Sequence, residues 1–139
     1  MESHKSIGLT KTVGYQVGVR RTFPISQQQA WSLITGEEGL IAWLGGGENI
    51  IIEPGHQYRT MVGTGEIRIV KPLLQLRLTW QKEGWQRPST VQIRILSKEN
   101  NKTTISFHQE HLADQQIREE MKRYWELKLA SIEESIQKM

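Results

Sequence analysis

Apolar residues recur with two different periods along this chain, and the change of period marks its architecture. Over residues 114–138 the spacing is helical. On a wheel of about 100° per residue, Ile117, Met121, Tyr124, Trp125, Lys128, Leu129, Ile132 and Ile136 fall in one arc of about 140°, wide for a core-facing stripe. Glu119, Lys122, Arg123, Glu126 and Glu133 fall outside it. Asp114 is placed to cap this helix, because its carboxylate can accept from N–H groups one turn on. At about 1.5 Å per residue the helix would run roughly 37 Å, the width of a small domain.

Upstream the period is two. Val13, Tyr15, Val17, Val19, Arg21 and Phe23 alternate with Gly14, Gln16, Gly18, Arg20 and Thr22, the pattern of a half-buried strand with Arg21 as a polar intruder. Ser26 with Gln29 is a capping-box pattern opening a short helix through Ile34, which Thr35-Gly36 stops. Residues 37–44 predict a second short helix, broken by Gly45-Gly46-Gly47. Strands are then predicted near 49–53, 57–62, 65–71, 73–82, 88–97 and 103–110. On the longest, Leu74, Leu76, Leu78 and Trp80 oppose Gln75, Arg77 and Thr79. Val91, Ile93 and Ile95 oppose Gln92 and Arg94, and Ile105 and Phe107 oppose Ser106 and His108. One sheet face needs a cover and the long helix needs a bed, which packing them together provides. The expected class is α+β: a curved antiparallel sheet around a long C-terminal helix.

A chain of 139 residues with no internal repeat predicts one domain, 1–139, with a loose polar segment at 1–12. No cysteine is present, which excludes disulfides and thiolate chemistry and fits a cytoplasmic setting. No apolar run approaches the roughly 20 residues of a membrane span. The net charge of +3 is small but unevenly laid out. Glu37, Glu38, Glu48 and Glu53 share a stretch without Lys or Arg, whereas Arg59, Arg68, Arg77 and Arg94 follow in the sheet. Those arginines make a basic outer face, but Trp80 and Phe107 have the inner parity, so the stacking platform of a nucleic-acid reader is missing.

Ala30-Trp31-Ser32-Leu33-Ile34-Thr35, then Leu40 with Trp43-Leu44, a strand meander and a terminal helix bearing Trp125 resemble the START-like (SRPBCC) superfamily. Within it the likeness is to bacterial relatives of the activator of the ninety-kilodalton heat-shock chaperone's ATPase. The resemblance spans roughly residues 13–137. It implies a helix-grip fold with a cavity between sheet and C-terminal helix, which relatives use for apolar molecules. The further N-terminal domain with which eukaryotic activators engage the chaperone is not expected within these 139 residues.

Catalytic signatures are lacking. His4, His56, His108 and His111 show no third metal ligand at a convincing spacing, and there is no nucleophile elbow. Gly63-Thr64-Gly65 lacks the third glycine of a dinucleotide fingerprint, and a strand pattern follows it instead of a helix. No metal and no cofactor are expected. The expected function is non-catalytic binding of an apolar or amphipathic small molecule. Its lining would come from Leu40 and Trp43, from Ile67, Ile69, Leu76, Leu78, Ile93, Ile95 and Phe107, and from Met121, Trp125 and Lys128. Lys128, inside the apolar arc, either snorkels to water or meets a ligand's acidic head, with Ser131 and Ser135 supplying hydroxyls beside it. Trp31 and Trp125 are read as core, and Trp85, in a turn, as exposed. The alternatives are a chaperone-cofactor-like interaction domain and a cyclase-like enzyme of the same fold, for which Lys128 and Arg21 are the titratable candidates.

Overall fold

The computed structural model describes residues 9–10, 14–46 and 50–139. The expected looseness of residues 1–8 and 11–12, the place of Val13, and Gly47 of the glycine run lie outside those residues. β1 (Leu9–Thr10) pairs with β2 (Gly14–Phe23), so the polar N-terminal stretch contributes a short edge strand where none was expected. Two short helices follow, α1 (Gln27–Thr35) and α2 (Glu37–Leu44). Then come β3 (Gln57–Arg59), β4 (Gly63–Lys71), β5 (Gln75–Lys82), β6 (Ser89–Lys98) and β7 (Lys102–Leu112), and last α3 (Gln115–Gln137). The strands form one antiparallel sheet in the order β1-β2-β7-β6-β5-β4-β3. The curved sheet and the long helix held against it make the helix-grip architecture.

Local chemistry sets the helix boundaries. The Ser26 hydroxyl accepts from the Gln29 N–H, and the Gln29 side chain accepts from the Ser26 N–H, which completes the capping box of α1. Gly45, at φ 103°, ends α2 in the left-handed region that glycine tolerates. Asp114 caps α3 by accepting from Ile117 N–H at 2.8 Å.

Packing is divided along the sheet. α3 lies on β2 and β7, α1 on β6 and β7, and α2 against α1 and α3. Arg21, the polar intruder of β2, reaches Glu133 of α3 at 3.1 Å, so it is an edge ion pair. Ile50 and Ile52 pack on the core beyond α2.

Two expectations are corrected here. Residues 50–53 are not a strand: the edge of β4 is already taken by β3, and within the described stretch 50–56 the backbone bonds to β4 are those of Gly55 and His56 with Ile67. The second concerns Ile69. Ile67 stands opposite Leu78 but Ile69 stands opposite Arg77, because a bulge at Arg68 inserts one residue. Parity flips there: Ile69 goes to the outer sheet face, and Val70, opposite Leu76, turns inward onto the core.

Candidate functional site

The residues expected to line a cavity separate into three groups. Leu40, Trp43, Ile67, Leu76, Leu78, Ile93, Ile95, Phe107, Met121 and Trp125 are all buried in the core. Lys128 is half-buried at its flank, and Ile69 lies on the other side of the sheet.

Three of them meet as rings beneath α3. Phe107 and Trp125 stack at 4.7 Å between centroids with planes 15° apart. Trp43 leans on both, at 5.9 Å from Phe107 and 6.3 Å from Trp125. Trp43 is fixed at both ends: its indole N–H donates to Ile34 O at 2.8 Å, and its carbonyl accepts from Tyr124 Oη at 2.6 Å. One residue of α2 thereby ties α1, α3 and β7 together. Tyr124 stands edge-on to Trp125, and the Lys128 ammonium lies 4.9 Å from the Tyr124 ring centre, a cation–π contact. Ser131 and Ser135 lie on the outer side of α3. Both are exposed, and their hydroxyls donate back to Leu127 O and Ser131 O along the helix.

The interior also contains a polar chain that pattern reading missed. Gln109 is fully buried on the inner face of β7, opposite Val17 and Val91. Its Oε1 accepts from Trp125 Nε1 at 2.8 Å, and its Nε2 donates to Ser89 Oγ at 2.9 Å. Ser89 in turn donates to Trp80 O at 2.6 Å. Trp80 is 4% exposed, yet its indole N–H is buried without a partner. The signal for Gln109 was present: it has the inward parity of Ile105 and Phe107, and a polar residue in that register must be paired inside. Tyr58 faces the same interior from β3 and donates to Thr79 O at 2.5 Å. Burial, and then Tyr124, pushes the Tyr58 pKa well above its ordinary value; burial pushes Tyr124 up to about 12.

Gly63-Thr64-Gly65 has a packing reason. A Cβ on Gly65 would overlap the Thr79 carbonyl and the Tyr58 ring, so the glycine lets β3, β4 and β5 close on each other. His108 bonds Gln16 at 2.8 Å on the outer face, and His108 and His111 both lie near Glu110. Among the described residues no three His, Asp or Glu side chains gather as a metal set. Trp85, expected to be exposed, is half-buried with its ring edge-on to Trp80 at 5.2 Å.

The family model described as Activator of Hsp90 ATPase homolog 1-like protein matches residues 24–137, from the end of β2 through α3. The chain belongs to this family. No curated protein matches it. Solved structures similar to this Activator of Hsp90 ATPase homolog 1-like chain agree on the fold. Protein MLL2253 from Mesorhizobium loti superposes with a TM-score of 0.76 at 18% identity, covering 89% of this chain and 98% of its own. CalU16 from Micromonospora echinospora gives 0.71 at 21%, covering 83% and 71%. PFC0360w, an HSP90 activator from Plasmodium falciparum, gives 0.62 at 14%, covering 70% and 74%. The family match places the chain in the START-like superfamily, and the solved structures share its fold. No helix among the described residues is long and apolar enough to cross a membrane.

Proposed function

We propose that this protein is a non-catalytic binding domain that holds an apolar or amphipathic small molecule between the sheet and α3. The observation that carries this reading is the unpartnered Trp80 Nε1. A buried donor left without an acceptor costs about 1–3 kcal/mol. A ligand carbonyl or hydroxyl oxygen set against it would remove that cost. The surroundings suit such a ligand: aromatic and aliphatic walls with a few fixed polar groups, Gln109, Ser89 and the two tyrosine hydroxyls. The test begins with native mass spectrometry of freshly purified protein, in which a bound small molecule adds its mass directly. Trp80→Phe then removes the N–H and keeps an aromatic ring. An oxygen-bearing ligand should bind about tenfold more weakly to the variant while its hydrocarbon analogue is unaffected. No bound molecule, or equal losses for both ligands, would refute the reading.

A second reading, a chaperone-cofactor-like interaction domain, is favoured by the apolar rim where α2 meets the β3–β4 turn. Ile41, Met61 and Val62 are 56%, 82% and 42% exposed. A Cβ on Gly45 would touch Val62, and one on Gly46 would touch Ile41, so these two side chains flank the same glycine pair. Capture of the ninety-kilodalton heat-shock chaperone by wild type but not by Met61→Asp would support it. Equal capture by both would count against it.

A further inference from the structure

At the sheet edge, the tips of two hairpins border an open cleft of about 440 Å³, a volume in the range of small-molecule sites. One tip is the turn between β3 and β4, the other the turn between β5 and β6. Three features of this cleft point to a ligand class. Arg59 and Lys82 both line it, and among the described residues neither is in an ion pair, although Glu83 lines the same cleft. Trp85 forms one wall and is held there: its N–H donates to Lys82 O at 2.9 Å, its carbonyl accepts from Gln81 Nε2 at 2.7 Å, and its ring rests on Trp80. Met61 offers a flexible, polarisable thioether beside it. Two free cations and a fixed aromatic wall in one concavity are complementary to a negative group attached to a flat apolar body.

We propose that this cleft is a second binding site, for a small organic anion with a planar apolar body. The anionic group, carboxylate or phosphate, sits toward Arg59 and Lys82. The body lies on Trp85 and Met61. The cleft's cations and its walls come from β3, β4, β5 and their turns, and it adjoins the interior only where the Trp85 ring rests on Trp80.

The experiment is titration of the full chain, followed by two-dimensional amide NMR, with 2-naphthoate, 2-naphthyl phosphate and neutral 2-naphthalenemethanol. Both anions should shift the backbone amides of Thr64, Lys82 and Glu83 and the Trp85 indole signal saturably, at least tenfold more tightly than the alcohol. The ratio between the two anions tells carboxylate from phosphate. Arg59→Gln and Lys82→Gln, both at exposed positions, should each weaken anion binding about tenfold. Their unshifted spectra elsewhere report that the fold is intact. Equal binding of the alcohol, unchanged affinity in the double variant, or no shift at the cleft would each overturn the proposal. Shifts confined to the Trp43, Trp80 and Trp125 indoles would overturn it too, while leaving the interior reading standing.

Discussion

The indole N–H of Trp125 donates to Oε1 of Gln109 at 2.8 Å, joining α3 to β7 inside the core. Both residues are buried, so neither group can turn to water when its partner is lost. Gln109→Leu should therefore cost about 1–3 kcal/mol, by stranding the Trp125 N–H. Trp125→Phe removes that donor, so the double variant should lose measurably less than the sum of the singles. Urea denaturation of the four proteins checks this, and strict additivity would show that the bond contributes nothing.

Deleting residues 114–139 should abolish cooperative folding. α3 contributes buried Met121, Trp125, Leu129 and Ile132. Trp125→Ala alone is expected to cost about 3–5 kcal/mol, against a total stability on the order of 5–15 kcal/mol. A truncated chain that still melted sharply would contradict the architecture.

The bulge in β4 makes a paired prediction. Val70→Ala removes inward-facing methyl groups and should cost about 1 kcal/mol or more. Ile69→Thr changes the outer face and should stay within about 0.5 kcal/mol. The reverse order in thermal melts would place the bulge elsewhere.

Alkaline pH should destabilise the fold through its buried tyrosines. Tyr124 ionises at about 12 in the folded protein against 10.0 ordinarily. The folded chain keeps a proton that the unfolded chain releases above pH 10. This stabilisation is complete below pH 10 and is lost as pH rises toward 12. Tyr124→Phe gives up the bond to the Trp43 carbonyl, about 1 kcal/mol, but its stability should fall less steeply over that window. Parallel declines of urea midpoints in the two proteins would rule out the assignment.

Lys128→Met separates two roles for the ammonium that rests on Tyr124. If it meets a ligand head group, the variant should bind fatty acids ten- to a hundredfold more weakly and matched neutral alcohols unchanged. If the cation–π contact is its whole role, both ligand classes keep their affinity, and stability drops by about 0.5–1 kcal/mol. Fluorescent fatty-acid displacement and a urea curve distinguish them.

The helices and most strands were legible because their causes are local. The period of apolar positions, the Ser26–Gln29 box and the Asp114 cap each act within a few residues. Phe107 and Trp125 could likewise be named as inward-facing from parity and wheel position, whereas Trp43, just before the glycine run, is placed only by the packing of α2. Their convergence into one stack is a nonlocal fact: β7 and α3 had to be laid side by side before Phe107 and Trp125 could meet. The same holds where the structure departs from the pattern. Unbroken alternation puts Ile69 inside, but one inserted residue at Arg68 reverses every face beyond it. Residues 50–53 carry strand-like composition, but a strand needs a free edge, and β3 already occupies it. Ser131 and Ser135 looked available until the helix offered its own carbonyls four residues back. Sequence alone thus determined which residues prefer burial and in what secondary structure. Tertiary structure decided which partners they find, because pairing, bulges and polar satisfaction depend on groups far apart in the chain.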